Sequence, residues 1–143
     1  TNHLSFDQVD FIIEGVKLTF FNEVGLTPLP FTPIFFTPTI LGVSLHLHAA
    51  MKVKTLFERI KYRDLYDIFF LLKENHLTLK ELIQVSVQYQ PKLNEKVILK
   101  RLKSRETISY DEGFVHLAAK YTPTQGEMID FFEDRINQYL KET

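Results

Sequence analysis

The chain has 143 residues, 45% of them hydrophobic and 13% aromatic, with thirteen Phe and a formal net charge of −1. That balance suits a packed globular chain and excludes disorder, a run of about 20 apolar residues able to span a membrane, and partner choice by bulk charge. With no cysteine, disulfides and thiolate metal sites are excluded, and a reducing, cytoplasmic setting is the expected one.

The first apolar runs are Val9 to Glu14 and Val16 to Phe21, with Gly15 between them. Short β-rich runs around a glycine predict a β-hairpin. The inward residues of its second run are Lys17 and Thr19, or else Leu18 and Phe20. Asp10 and Glu14 are the carboxylates of the first run.

Gly25 to Thr39 follows, with Pro28, Pro30, Pro33 and Pro38. Prolines at that density forbid a helix or a central strand. Phe31, Ile34, Phe35 and Phe36 are expected to press onto the core, a partner surface being the alternative. Ile40 to Leu45 predicts a short edge strand. His46 and His48 alternate after it, and no third ligand stands at metal-binding spacing, so they are read as surface or capping residues.

Ala49 to Lys73 carries the chemistry. Lys52 and Arg59 stand seven apart, which on a helix gives one shared face. Tyr62-Arg63-Asp64 is expected to interrupt that helix or bend it into a second one. Asp64 and Asp67, three apart, share a face of the second helix. The positions Leu65, Tyr66, Ile68, Phe69, Phe70, Leu71 and Leu72 make that helix apolar nearly all round, hence buried. Five basic residues against Glu58 lie between Lys52 and Arg63. Cations so gathered suit a triphosphate, where negative charge builds during transfer. Lys52 and Asp64 are expected to face one cleft. Asp67, four beyond Arg63, is expected to pair with it.

Thr78, three before Glu81, predicts a capped helix over Leu79–Gln88. Asn94 caps a basic helix from Glu95 to about Lys103, with Val97, Ile98 and Leu102 turned inward. Lys92 to Arg105 holds six basic residues and one acid, a nucleic-acid stripe or a solvated helix face. Phe114, Val115, Leu117 and Ala118 suit a short helix. Thr124 and Glu127 cap a last helix over Gln125–Leu140, with Met128, Phe132, Ile136 and Tyr139 as its buried stripe. The fold class predicted is α+β: a small antiparallel sheet, made of the hairpin plus an edge strand, then a helical C-terminal half.

Ala50-Met51-Lys52, Arg59 and Arg63-Asp64-Leu65-Tyr66-Asp67 resemble the signature block of the AbiEii-type nucleotidyltransferase toxins. These are the toxin halves of bacterial type IV toxin–antitoxin and abortive-infection systems. The resemblance is specific over about Gly42 to Leu72. It implies transfer of a nucleotide from a nucleoside triphosphate (NTP) to an acceptor: tRNA, a protein hydroxyl or a small molecule. It also implies Mg2+ as cofactor, an antitoxin as partner and no membrane. Lys52, Arg59 and Arg63 would bind the nucleotide. Asp64 would be the catalytic-site carboxylate, orienting Lys52 or touching the sugar or a metal-bound water. Asp67 would be structural support. The family's metal carboxylates follow a Gly-Ser turn in an Asp-x-Asp strand, and neither motif occurs here. The chain is therefore expected to be the C-terminal portion of a longer protein. Residues 1–45 would be what remains of a nucleotidyltransferase-like β core and residues 46–143 its helical region, in one compact domain. Alone it is expected to be inactive, with neither Mg2+ nor NTP bound. The alternative is a non-catalytic helical module that binds nucleic acid or a partner protein through Lys92–Arg105.

Overall fold

Glu14 and Gly15 turn the first apolar run back on itself. Both have positive φ, 51° and 81°, as the two-residue type I′ hairpin turn requires. Glu14 therefore belongs to the turn and not to the strand. The structure is a computed structural model that describes residues 3–4, 8–21, 34–35, 37–109, 111–115 and 118–142. Packing divides the chain into two compact units, Thr1–Pro30 and Phe31–Thr143.

In the first unit, β1 (His3–Leu4), β2 (Gln8–Ile13) and β3 (Val16–Phe21) form an antiparallel sheet in the order β1-β2-β3. Asp10 stands opposite Thr19 and Ile13 opposite Val16. That register puts Val9, Phe11, Ile13, Val16, Leu18 and Phe20 on one face. Asp10 shares the other face with Lys17 and Thr19, and Lys17 Nζ lies 2.9 Å from its carboxylate. Lys17, then Thr19, hold the Asp10 carboxyl down at about 2.

The second unit begins with β4 (Ile34–Phe35) and β5 (Leu41–Gly42), paired antiparallel to each other in a two-stranded sheet of their own. The edge strand expected beside the hairpin thus pairs elsewhere. The reason is local. Thr37 Oγ1 accepts from the Ile40 N–H at 3.0 Å, and closing so short a loop costs less entropy than a distant pairing. Ile34 and Phe35 are exposed, against the expectation of core. Phe31 and Phe36 lie outside the described residues.

Six helices follow among the described residues: α1 (Leu45–Glu58), α2 (Tyr62–Lys73), α3 (Leu79–Tyr89), α4 (Glu95–Leu102), α5 (Glu112–Val115) and α6 (Gln125–Glu142). The class is α+β, as the sequence predicts. Leu45 opens α1 instead of ending a strand, because the Ser44 side chain accepts from the Leu47 N–H. α1 packs on α2 and α3, and α6 lies against α2, α3 and α4. Val53, Ile68, Leu82, Met128 and Phe132 are almost wholly shielded at the centre. α4 turns Ile98, Leu99 and Leu102 inward, while Val97, expected there, is exposed. On α6, Ile129 joins Met128, Phe132 and Ile136 in the core, and Tyr139 is half-buried. Of the short helix expected near Phe114, Glu112–Val115 is formed, and Leu117 lies outside the described residues. No helix among the described residues is long and apolar enough to cross a membrane.

Candidate functional site

The site is built where α1 ends and α2 begins. The break between them falls at residues 59–61, one step earlier than the Tyr62-Arg63-Asp64 expected from the sequence. Arg59 is the C-cap of α1 in extended conformation, its N–H still bonded to the Thr55 carbonyl at 2.9 Å. Lys61 is the extended N-cap of α2, so Tyr62, Arg63 and Asp64 form the first turn of that helix. Lys52 and Arg59 consequently do not share a helical face. The extended cap instead swings the Arg59 side chain toward Asp64.

Asp64 is fully buried. Its Oδ2 accepts from Arg59 Nε at 3.3 Å, and its Oδ1 has no hydrogen-bond partner. Lys52 Nζ lies 2.6 Å from Asp67 Oδ2, in a pair about a quarter to a third exposed. Among the described residues no ion pair joins Lys52 to Asp64. His48 stands one turn before Lys52 on α1. Burial, then the Lys52 charge, push its pKa down, and Asp67 opposes them.

Arg63 does not pair with Asp67. Its Nε donates to Asp111 Oδ2 at 2.6 Å, and its Nη2 to Asp111 Oδ1, forming a two-pronged clamp. A bidentate guanidinium–carboxylate pair outweighs a single i,i+4 contact of about 0.3–0.5 kcal/mol, and Lys52 has taken Asp67. Asp111 is held down at about 2 by Arg63. Gly113 leaves room for the clamp: a Cβ there would stand 2.2 Å from Arg63 Nη2. Sequence reading misses Asp111, which lies 48 residues from its partner with no local motif to mark it. Beside this clamp a cavity of about 670 Å³ opens, lined by Tyr62, Asp111, Phe114 and Pro123.

Two cation–carboxylate pairs, Arg59–Asp64 and Lys52–Asp67, thus join α1 and its C-cap to α2, and Arg63 in the first turn of α2 is clamped to Asp111. Arg59 is half exposed, while Arg63 is fixed by its two bonds to Asp111. This arrangement does not by itself make a Mg2+ site. Asp64 and Asp67 are each engaged by a cation, and among the described residues no three His, Cys, Asp or Glu side chains converge. His46 and His48 acquire no third ligand there.

The family model described as "Nucleotidyl transferase AbiEii toxin, Type IV TA system" matches residues 8–142. An uncharacterized protein of Aquifex aeolicus (strain VF5) is 23% identical over 141 residues, which cover 94% of this chain and 63% of that protein. The chain thus spans less than two thirds of that relative's length. No solved structure matches it.

Proposed function

This chain belongs to the AbiEii nucleotidyltransferase toxin family of type IV toxin–antitoxin systems, and from that premise we propose that it supplies the triphosphate-binding side of a nucleotidyl-transfer site. In this reading residues 1–45 belong to the β core of the transferase and residues 46–143 to its helical region. The whole protein would move a nucleotide from an NTP to an acceptor, tRNA among the candidates, and would be held in check by an antitoxin.

The observation that carries the reading is Asp64. A buried acceptor left without a partner costs about 1–3 kcal/mol. The spare Oδ1 of Asp64 belongs to a carboxylate whose other oxygen is held by Arg59, and ligand chemistry gives that spare oxygen a use. Asp64 sets the Arg59 guanidinium in the resting site. When a triphosphate draws Arg59 away, Asp64 becomes free to accept from a hydroxyl of the nucleotide. Lys52 leaves Asp67 for a β- or γ-phosphate, a move its flexible stem and compact charge allow. Arg63, clamped by Asp111, gives the anion a fixed cation. Mg2+, when bound in the whole protein, would supply charge stabilisation for the leaving pyrophosphate. Among the described residues no three His, Cys, Asp or Glu side chains converge to hold it.

The test uses the whole protein. Losing a charge-assisted phosphate contact costs about 1.5–3 kcal/mol, or roughly 10- to 100-fold in affinity. Lys52→Ala is expected to lose that much NTP affinity, measured by calorimetric titration, and to abolish growth arrest. Its melting temperature should hardly move, since a partly exposed pair contributes at most about 1 kcal/mol. Asp64→Asn keeps the shape and removes the charge, so it should likewise fold and fail. Full toxicity in both variants would overturn the assignment.

A further inference from the structure

The six basic residues of 92–105 are not equivalent. Arg101 is built into the fold: its Nε donates to the Leu56 carbonyl at 2.7 Å, its Nη1 to Glu106, and it lies over the Phe57 ring. Arg105 is taken by Asp130 and Glu133 on α6. Lys96, Lys100 and Lys103 remain exposed, and none forms an ion pair among the described residues. Their intervals of four and three residues keep them on one side of α4 and its C-cap. Along the axis they stand about 4.5–6 Å apart.

These lysines line an open groove of about 1070 Å³. Its apolar surface comes from Phe57, Val97 and Leu140, the last two 39% and 52% exposed. Arg101 ties the groove to Leu56, three residues before Arg59 of the candidate site. We infer that this groove is a second site, which holds the backbone of a single-stranded nucleic acid: the lysines take successive phosphates and the apolar surface takes sugars and bases. A row of cations with no ion pair among the described residues, beside apolar and aromatic surface, is the arrangement that tracks such strands without reading their sequence. An acidic peptide would meet the same charge, but it has no planar bases for the apolar surface.

Binding is measured by fluorescence anisotropy on the full chain, with a labelled single-stranded RNA, a DNA of the same sequence and an acidic peptide of equal charge. No NTP is present, so the outcome is separate from that of the transfer reading. Three phosphate contacts predict a fall in affinity of about 20-fold between about 50 and 200 mM KCl, from a slope of about −0.7 per contact. Replacing all three lysines with Ala should leave less than about a twofold salt effect. Lys100→Ala alone should lower the slope by about 0.7, whereas Lys80→Ala, equal in charge but on α3, should not. Alanine favours the helix, so the circular-dichroism melt should be unchanged. RNA and DNA bound alike would assign the backbone in general, and one bound alone would assign that sugar. No salt-dependent binding, a triple variant that binds like the parent, or a peptide bound as tightly as the strands would overturn the inference.

Discussion

Arg63 and Asp111 show how much of the site rests on one pair of side chains. Asp111 is about 5% exposed and Arg63 about 37%, so their bond lies between the surface and the core. Exposed pairs contribute about 0.2–1 kcal/mol and breaking buried ones costs about 3–5. Asp111→Ala is therefore expected to cost about 2 kcal/mol, a drop of roughly 6 °C in a thermal melt. The same pair sets an acid dependence. Folding lowers the Asp111 carboxyl from its ordinary 3.8 to about 2. The unfolded chain thus takes up the proton first as pH falls, and the stability Asp111 contributes is complete above 3.8 and lost toward about 2. Melts of the protein and of Asp111→Asn should differ at neutral pH and converge between about pH 4 and 2. A constant gap down to the lowest pH would mean that the pair is not what the substitution removed.

At the scale of elements, the caps were the most legible part of the sequence. Thr78 and Glu81 form a reciprocal capping box at the start of α3. Thr124 and Glu127 do the same at α6, with the Thr124 N–H on Glu127 and the Glu127 N–H on Thr124 Oγ1. A cap needs only residues three apart, so the sequence displays it whole. Thr78→Ala is expected to cost about 1 kcal/mol, seen as a lower denaturation midpoint with an unchanged slope; an unchanged midpoint would show that α3 is held by packing alone. What escaped the sequence is long-range or depends on a single dihedral pair. The hairpin turn was marked by Gly15, but nothing local told β5 to pair with β4. The spacing of Lys52 and Arg59 promised a shared face, and the extended φ and ψ of Arg59 removed it. The cation cluster itself was readable from composition. Its pairing, Lys52 to Asp67 and Arg63 to Asp111, was decided by which elements the core brings together.

For the whole molecule, the question is where the stability resides. Among the described residues, every member of the hydrophobic core cluster lies between Ala49 and Ile136, within the unit Phe31–Thr143. Both capping boxes, the Arg63–Asp111 clamp and the ties of Lys120 and Tyr121 to Glu74 lie there as well. The unit Thr1–Pro30 brings a sheet with one apolar face, on which Phe11, Ile13, Val16, Leu18 and Phe20 are each 38% exposed or more. A small sheet whose described apolar side chains are mostly exposed has little to hold it, whereas a helical unit of this length buries enough surface to fold alone. A chain beginning at Phe31 is therefore expected to keep its far-UV helical signal and a single cooperative melt within a few degrees of the parent. Removing the exposed apolar face should also reduce self-association, seen by light scattering. A truncated chain that loses its cooperative melt would show that the hairpin supplies part of the core, and the division into two units would fail as a description of its folding.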